Sequence, residues 1–231
     1  MKKNYSILFL FVVVSITISC NKQVDNSAPS EKNTTKKTYQ EINIQTADDA
    51  IKELKAGNQR FLKDSLININ HLEQIEQTKH GHQPHSVILS CMDSRVPPEI
   101  IFDQGIGNIF VIRNAGNLED HNVLGSMEYA VEHSSKLIVV MGHSHCGAVT
   151  GAVNEIKMGH LTQLVEQITP AITQGTNKAH TINETAKQSI KNTIKDILER
   201  SSIISEKVKE NKIKIVGAFY DIETGEVLFM D

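Results

Sequence analysis

The chain of 231 residues has no tryptophan, three cysteines and little net charge of either sign. Three cysteines cannot build a disulfide scaffold. A formal charge of −3 at pH 7 argues against a nucleic-acid partner, which needs a basic face to neutralise phosphates. After the first twenty residues there is no second long apolar run, so the chain does not cross a membrane repeatedly. There is no internal repeat and no Walker A sequence, and Gly105-Ile106-Gly107 is too short for a dinucleotide loop. What is present excludes a wholly disordered chain, because hydrophobic residues make up 39% and charged residues 22%.

The first segment reads as an export signal, residues 1–19. Lys2 and Lys3 form a positive start, and Ile7 to Val14 is an apolar run too short for a spanning helix. Cys20 stands where small and apolar residues give way to polar ones. This resembles a bacterial lipoprotein signal, with Cys20 lipidated after cleavage and Thr17 where Leu is usual. The alternative is an ordinary signal peptide that leaves a soluble periplasmic protein. Loss of both lysines would bring the formal charge near −5 (−3 − 2). Residues 20–45 are rich in Asn, Ser, Thr and Lys and read as a flexible, lipid-anchored tether. The expected location is the periplasmic side of the cell envelope, and Asn21 in place of Asp favours the outer membrane.

Residues 46–231 read as one folded domain of the α/β class. Thr46 and Asp49 are spaced as a capping box ahead of an amphipathic helix over 47–63. A second helical stretch covers about 68–79. Four short apolar runs follow, at 86–90, 108–112, 136–141 and 214–219. They are β-branched and do not alternate, as in strands of a parallel sheet covered on both faces. Helical segments are expected at 98–104, 122–134 and 183–210. Thr224-Gly225 suggests a closing hairpin with a short antiparallel strand at the edge. A mainly parallel central sheet with flanking helices places its site at the carboxyl ends of the strands.

Two chemistry-bearing clusters stand at such ends. One is Cys91-Met92-Asp93-Ser94-Arg95 and the other is Gly142-His143-Ser144-His145-Cys146-Gly147. Cys91, His143 and Cys146 make a Cys₂His set. Three such ligands suit a catalytic zinc, one ion per chain, with a fourth position open. The two cysteines could instead pair as a disulfide. An aspartate beside an arginine stays ionised, and in an extended segment Asp93 and Arg95 would point to one side. Asp93 could then accept a hydrogen bond from a metal-bound water, while the bland alternative is a surface ion pair. His80, His82 and His85 could relay protons, gather metal, or belong to a solvated loop.

These motifs, with Arg113-Asn114-Ala115-Gly116-Asn117, Gly57-Asn58-Gln59-Arg60-Phe61 and Ala218-Phe219-Tyr220-Asp221, resemble the β-class carbonic anhydrases over roughly 47–231. The resemblance implies zinc-dependent, reversible hydration of carbon dioxide to bicarbonate and a proton. It implies a zinc-bound hydroxide as the attacking group, oriented by a catalytic Asp93/Arg95 dyad. Phe110 and Tyr129 match aromatic positions of the family's cleft. His82 stands where the family often has a glutamine near the substrate, and Gly147, beside Cys146, is expected with His82, Phe110 and Tyr129 in the substrate pocket. A homodimer or dimer of dimers is implied, with the helix at 47–63 as an exchanged arm. Without tryptophan, the regulatory bicarbonate pocket of some members cannot form in its usual way. Two thiolates would cancel the charge of the metal, so activity is expected to favour mildly alkaline pH. Rival readings are a Cys91/His143 thiol enzyme, a serine hydrolase with an imperfect nucleophile elbow, and a tethered zinc-binding protein without activity. Hydrolysis of carbonyl sulfide or carbon disulfide would be decided by pocket shape.

Overall fold

The computed structural model describes residues 44–230. The leader, Cys20 and nearly all of the 20–45 tether lie outside the described residues. No helix among the described residues is long and apolar enough to cross a membrane.

Five strands form one sheet: β1 (Ser86–Cys91), β2 (Ile109–Asn114), β3 (Leu137–His143), β4 (Lys214–Tyr220) and β5 (Val227–Met230). Their order is β2-β1-β3-β4-β5, parallel except for the antiparallel β4–β5 pair. Successive side chains on a strand face opposite sides, and both sides are covered. Val87, Leu89, Ile138 and Val140 face one core, and Ile88, Leu137, Val139 and Met141 face the other. β1 and β3 are therefore buried along their whole length, as their β-branched runs imply. β2 is only partly buried, because it is an edge strand with a neighbour on one side.

The first core is roofed by α4 (His121–His133), α5 (Gly147–Val153), α6 (Gly159–Ile168), α7 (Lys178–Arg200) and α8 (Ser202–Lys209). The second is closed by α1 (Ala47–Leu62) and α3 (Pro98–Ile101). α2 (His71–Thr78) lies between α1 and β1 in the chain, and it leaves Leu72 and Ile75 exposed. The capping box forms as its spacing implies, with Thr46 and Asp49 bonded reciprocally. Gly57 lets α1 approach α3 closely, since a Cβ there would sit 1.8 Å from the carbonyl oxygen of Phe102. α1 docks on its own chain here: Asn58 bonds Ile101 O and Gly225 O, and Arg60 pairs with Asp103.

Two corrections to the sequence reading have plain causes. The stretch 183–210 is two helices, because Ser201 leaves the helical conformation and caps α8 through a bond from the Ile204 N–H. The sequence reading assigned no helix at α5 or α6. Gly147-Ala148-Val149-Thr150-Gly151-Ala152-Val153 has two glycines and three β-branched residues, so its helix is imposed by packing. Gly151 permits the close contact with Val165 of α6.

Candidate metal centre

Cys91 ends β1 and His143 ends β3, two strands that lie side by side, so their side chains meet at the carboxyl end of the sheet. Cys146 follows in a short turn and is the N-cap of α5. The left-handed backbone of His145, with φ of 56°, turns that residue outward between the two ligands. The two sulfurs and an imidazole nitrogen lie within 4.8 Å of one another, and all three residues are buried. Nδ1 of His143 lies 2.9 Å from the Ser144 carbonyl oxygen, to which it donates. Nε2 is then the atom with a free lone pair, and it is buried without a hydrogen-bond partner. Such an orphan costs about 1–3 kcal/mol. A zinc ion would satisfy it, since bonds of about 2.0–2.3 Å space tetrahedral ligands roughly 3.4–3.8 Å apart. The donor set and its spacing therefore fit zinc.

Cys91 and Cys146 are free thiols. Hydrogen bonding from Cys146 holds the Cys91 thiol well below its ordinary range, with burial opposing and His143 and the Gly116 and Asp93 N–H groups assisting. The same bond, burial and the charge on Cys91 push Cys146 up.

Asp93 and Arg95 pair through a turn, which corrects the extended geometry expected from the sequence. Asp93 Oδ1 accepts from the Arg95 N–H and Nε, both at 2.9 Å, and Oδ2 accepts from Nη2 at 2.7 Å. This is an Asx-type turn closed by a two-toothed ion pair. The Arg95 guanidinium holds the Asp93 carboxyl far below the usual carboxylate range, aided by the Arg95 N–H and the charge of His143. Both oxygens are engaged by Arg95, and Asp93 does not belong to the three-ligand group.

The loops around the centre are tied from three sides. Arg113 of β2 donates to the carbonyls of Cys91 (3.0 Å) and Asp93 (2.5 Å). Ser144 Oγ donates to Asp221 at 3.1 Å and accepts from the Ile222 N–H at 3.0 Å. The His145 N–H donates to Asn183, and its Nε2 lies 3.1 Å from Glu223. The β4–β5 turn therefore holds the 143–146 loop. The sequence motifs included Arg113, Ser144 and Asp221 without giving them these tasks. A basic residue at a strand end beside a ligand was the one available signal.

Gly147 opens α5 next to Cys146 and is exposed. His82, Phe110 and Tyr129 gather elsewhere. His82 lies 5.5 Å and Tyr129 6.1 Å from Phe110, ring centroid to centroid. Phe110 is paired with Val87, four residues before Cys91, so this cluster stands roughly 13 Å back along the sheet. Within one chain it is not brought to the metal ligands. Phe110, Ile112, His121 and Tyr129 line a groove of about 540 Å³ along β2 and α4. His85 is buried and bonded to Ser86 and Gln104, and burial lowers its pKa.

Residues 86–227 match the family described as carbonic anhydrase. "Carbonic anhydrase 2" of Mycobacterium tuberculosis is 37% identical over 193 residues, which cover 79% of this chain and 92% of that protein. The solved structure of the β-carbonic anhydrase CcaA is 28% identical with a TM-score of 0.63, covering 79% of this chain and 95% of its own. Tetrameric β-carbonic anhydrases from Sordaria macrospora are 25% identical, with a TM-score of 0.64 and coverage of 79% and 97%.

Proposed function

We propose, from the premise that this chain belongs to the β-class carbonic anhydrases, that it hydrates carbon dioxide reversibly at one zinc held by Cys91, His143 and Cys146. The observation that carries the zinc assignment is the buried, unpartnered Nε2 of His143 beside the two sulfurs. Bound zinc would acidify a water and make it the nucleophile, less strongly than in a three-histidine site because two thiolates cancel its charge (+2 − 2 = 0).

The Arg95 guanidinium keeps Asp93 ionised, so its carboxylate would accept one hydrogen bond from a reacting water and orient it toward carbon dioxide. Arg95 fixes the carboxylate by three bonds and keeps it from swinging onto the metal. Arg113 holds the carbonyls on either side of Met92, so Asp93 and Cys91 keep one spacing. The product proton would leave to solvent.

The aromatic cluster of His82, Phe110 and Tyr129 would serve a second copy of the chain. β2 is an edge strand, the groove beside it is open, and the cluster is too far from its own Cys91 to line that site. A homodimer formed across β2 would carry the cluster to the partner's metal, and two dimers would make a tetramer. The tetrameric relatives from Sordaria macrospora support this. The lipid anchor at Cys20 and the tether would hold the enzyme on the periplasmic side of the envelope. Release of labelled lipid with Cys20, and its loss in Cys20→Ser, tests that assignment.

Stopped-flow hydration of carbon dioxide at pH 8.5, with zinc assayed on the same sample, tests the chemistry. Activity proportional to zinc, up to about one ion per chain, is expected. Zinc without activity would mean a closed site and favour the zinc-binding reading. No zinc would overturn the ligand assignment.

A further inference from the structure

The Ser144–His145 peptide is engaged on both of its polar edges. Its carbonyl oxygen, on Ser144, accepts from Nδ1 of His143 at 2.9 Å. Its N–H, on His145, donates to Oδ1 of Asn183 in α7 at 3.1 Å. The two groups of a trans peptide point in opposite directions, so Asn183 fixes the plane from the side away from the imidazole. Ser144 itself is buried, and its other polar groups are pinned. Its N–H donates to the Tyr220 carbonyl at 2.9 Å. Its Oγ donates to Asp221 Oδ1 at 3.1 Å and accepts from the Ile222 N–H at 3.0 Å.

This peptide is held against its own preference. His145 has φ of 56°, a left-handed conformation that is unfavourable for a residue with a Cβ. A half-turn of the peptide plane about its flanking bonds would carry φ to roughly −124° (56 − 180), in the broad β region. The same flip would swing the carbonyl away from Nδ1 of His143. The imidazole would then have no acceptor to keep its proton on Nδ1. A proton on Nε2 would remove the lone pair that faces the two sulfurs.

We propose that Asn183 and Asp221 are positioning residues for the metal centre, holding the Ser144–His145 peptide in the orientation that fixes the tautomer of His143. The assignment rests on the zinc reading above. Asn183 acts on the peptide directly, and Asp221 acts through the Ser144 hydroxyl. Outer partners of this kind are worth about 10–100-fold in metal affinity.

The test uses the full-length, zinc-loaded protein, with transfer of zinc to a chromogenic chelator as the measure of its dissociation rate. Asn183→Ala and Asp221→Ala should each release zinc about 10-fold faster than the parent. Asn183→Asp keeps an acceptor oxygen and should stay within about threefold of the parent. Lys195→Ala, an exposed change on the same helix, should match it. The distinguishing variant is His145→Gly, since glycine adopts a left-handed backbone without a steric penalty. Adding Asn183→Ala to His145→Gly should speed release by no more than about threefold, whereas a clamp that only braced the loop would lose as much in either background. Magnetic resonance of nitrogen-labelled histidine reads the tautomer itself. Nδ1 of His143 should carry a slowly exchanging proton in the parent and lose that protection in Asn183→Ala. A parent-like rate in either alanine variant, an Asn183→Ala effect undiminished by His145→Gly, or a freely exchanging Nδ1 proton in the parent would overturn the proposal. A parent that binds no zinc would overturn the ligand assignment, and the proposal with it.

Discussion

Asn58→Leu offers a sharp test of how the fold supports the metal centre. Asn58 is 3% exposed and makes three hydrogen bonds from the middle of α1. Its Nδ2 donates to Ile101 O at 3.2 Å and Gly225 O at 2.9 Å, and its Oδ1 accepts from the Val227 N–H at 3.0 Å. Leucine keeps the branched shape and removes all three. A net loss of about 1 kcal/mol per bond gives roughly 3 kcal/mol. For a domain of this size that corresponds to a fall in Tm of about 6–12 °C. The exposed pair Lys214–Asp48 is the comparison, and Lys214→Ala should lower Tm by no more than about 2–4 °C. Gly225 and Val227 border the turn whose Asp221 and Glu223 hold Ser144 and His145. Zinc should therefore dissociate faster from Asn58→Leu than from Lys214→Ala. Differential scanning calorimetry and transfer of zinc to a chromogenic chelator measure the two effects. If Asn58→Leu melted no lower than Lys214→Ala, the Asn58 bonds would not tie α1 to the β4–β5 turn energetically.

Arg95→Met should keep its zinc and lose about 10²-fold in kcat, because Asp93 loses the three bonds that aim it; a kcat within twofold of the parent would remove Arg95 from the dyad. Cys146→Ser should bind little zinc at micromolar concentrations and show no hydration activity, as read by metal analysis and stopped flow. Burial holds His85 below its ordinary value near 6.5, so as pH falls the unfolded chain takes up that proton first. Its contribution is complete above about pH 6.5 and is lost below it, so Tm should decline between pH 7 and 5.5. His85→Gln should flatten that decline, and an unchanged slope would show that another group causes it.

Much of this architecture could be read from residue type and spacing. Val87-Ile88-Leu89 and Leu137-Ile138-Val139-Val140 are unalternating because both faces of β1 and β3 are covered. Cys91, His143 and Cys146 were legible because thiol and imidazole are unusual together at strand ends. Other features depend on partners that local pattern does not carry. Small residues in α5 have low helix propensity, and their helix exists because α6 packs against Gly151. The Arg113 bonds, the Ser144–Asp221 bond and the meeting of His82 with His133 join residues 20 to 77 positions apart, so no window of sequence contains them. The turn that pairs Asp93 with Arg95 escaped for a different reason: a two-residue spacing suits a strand and an Asx turn equally.

The dependence of the 143–146 loop on the β4–β5 turn also orders events during synthesis. All three ligands have left the ribosome once Cys146 emerges, yet the strand that closes the turn ends at Met230, 84 residues later (230 − 146). At ~5–20 residues per second, a growing chain spends roughly 4–17 s with its thiols made and their clamp missing. During that interval the nascent chain offers two cysteines to any oxidant or stray cation. If Cys91, His143 and Cys146 hold zinc as proposed, stable loading would await the turn that clamps their loop.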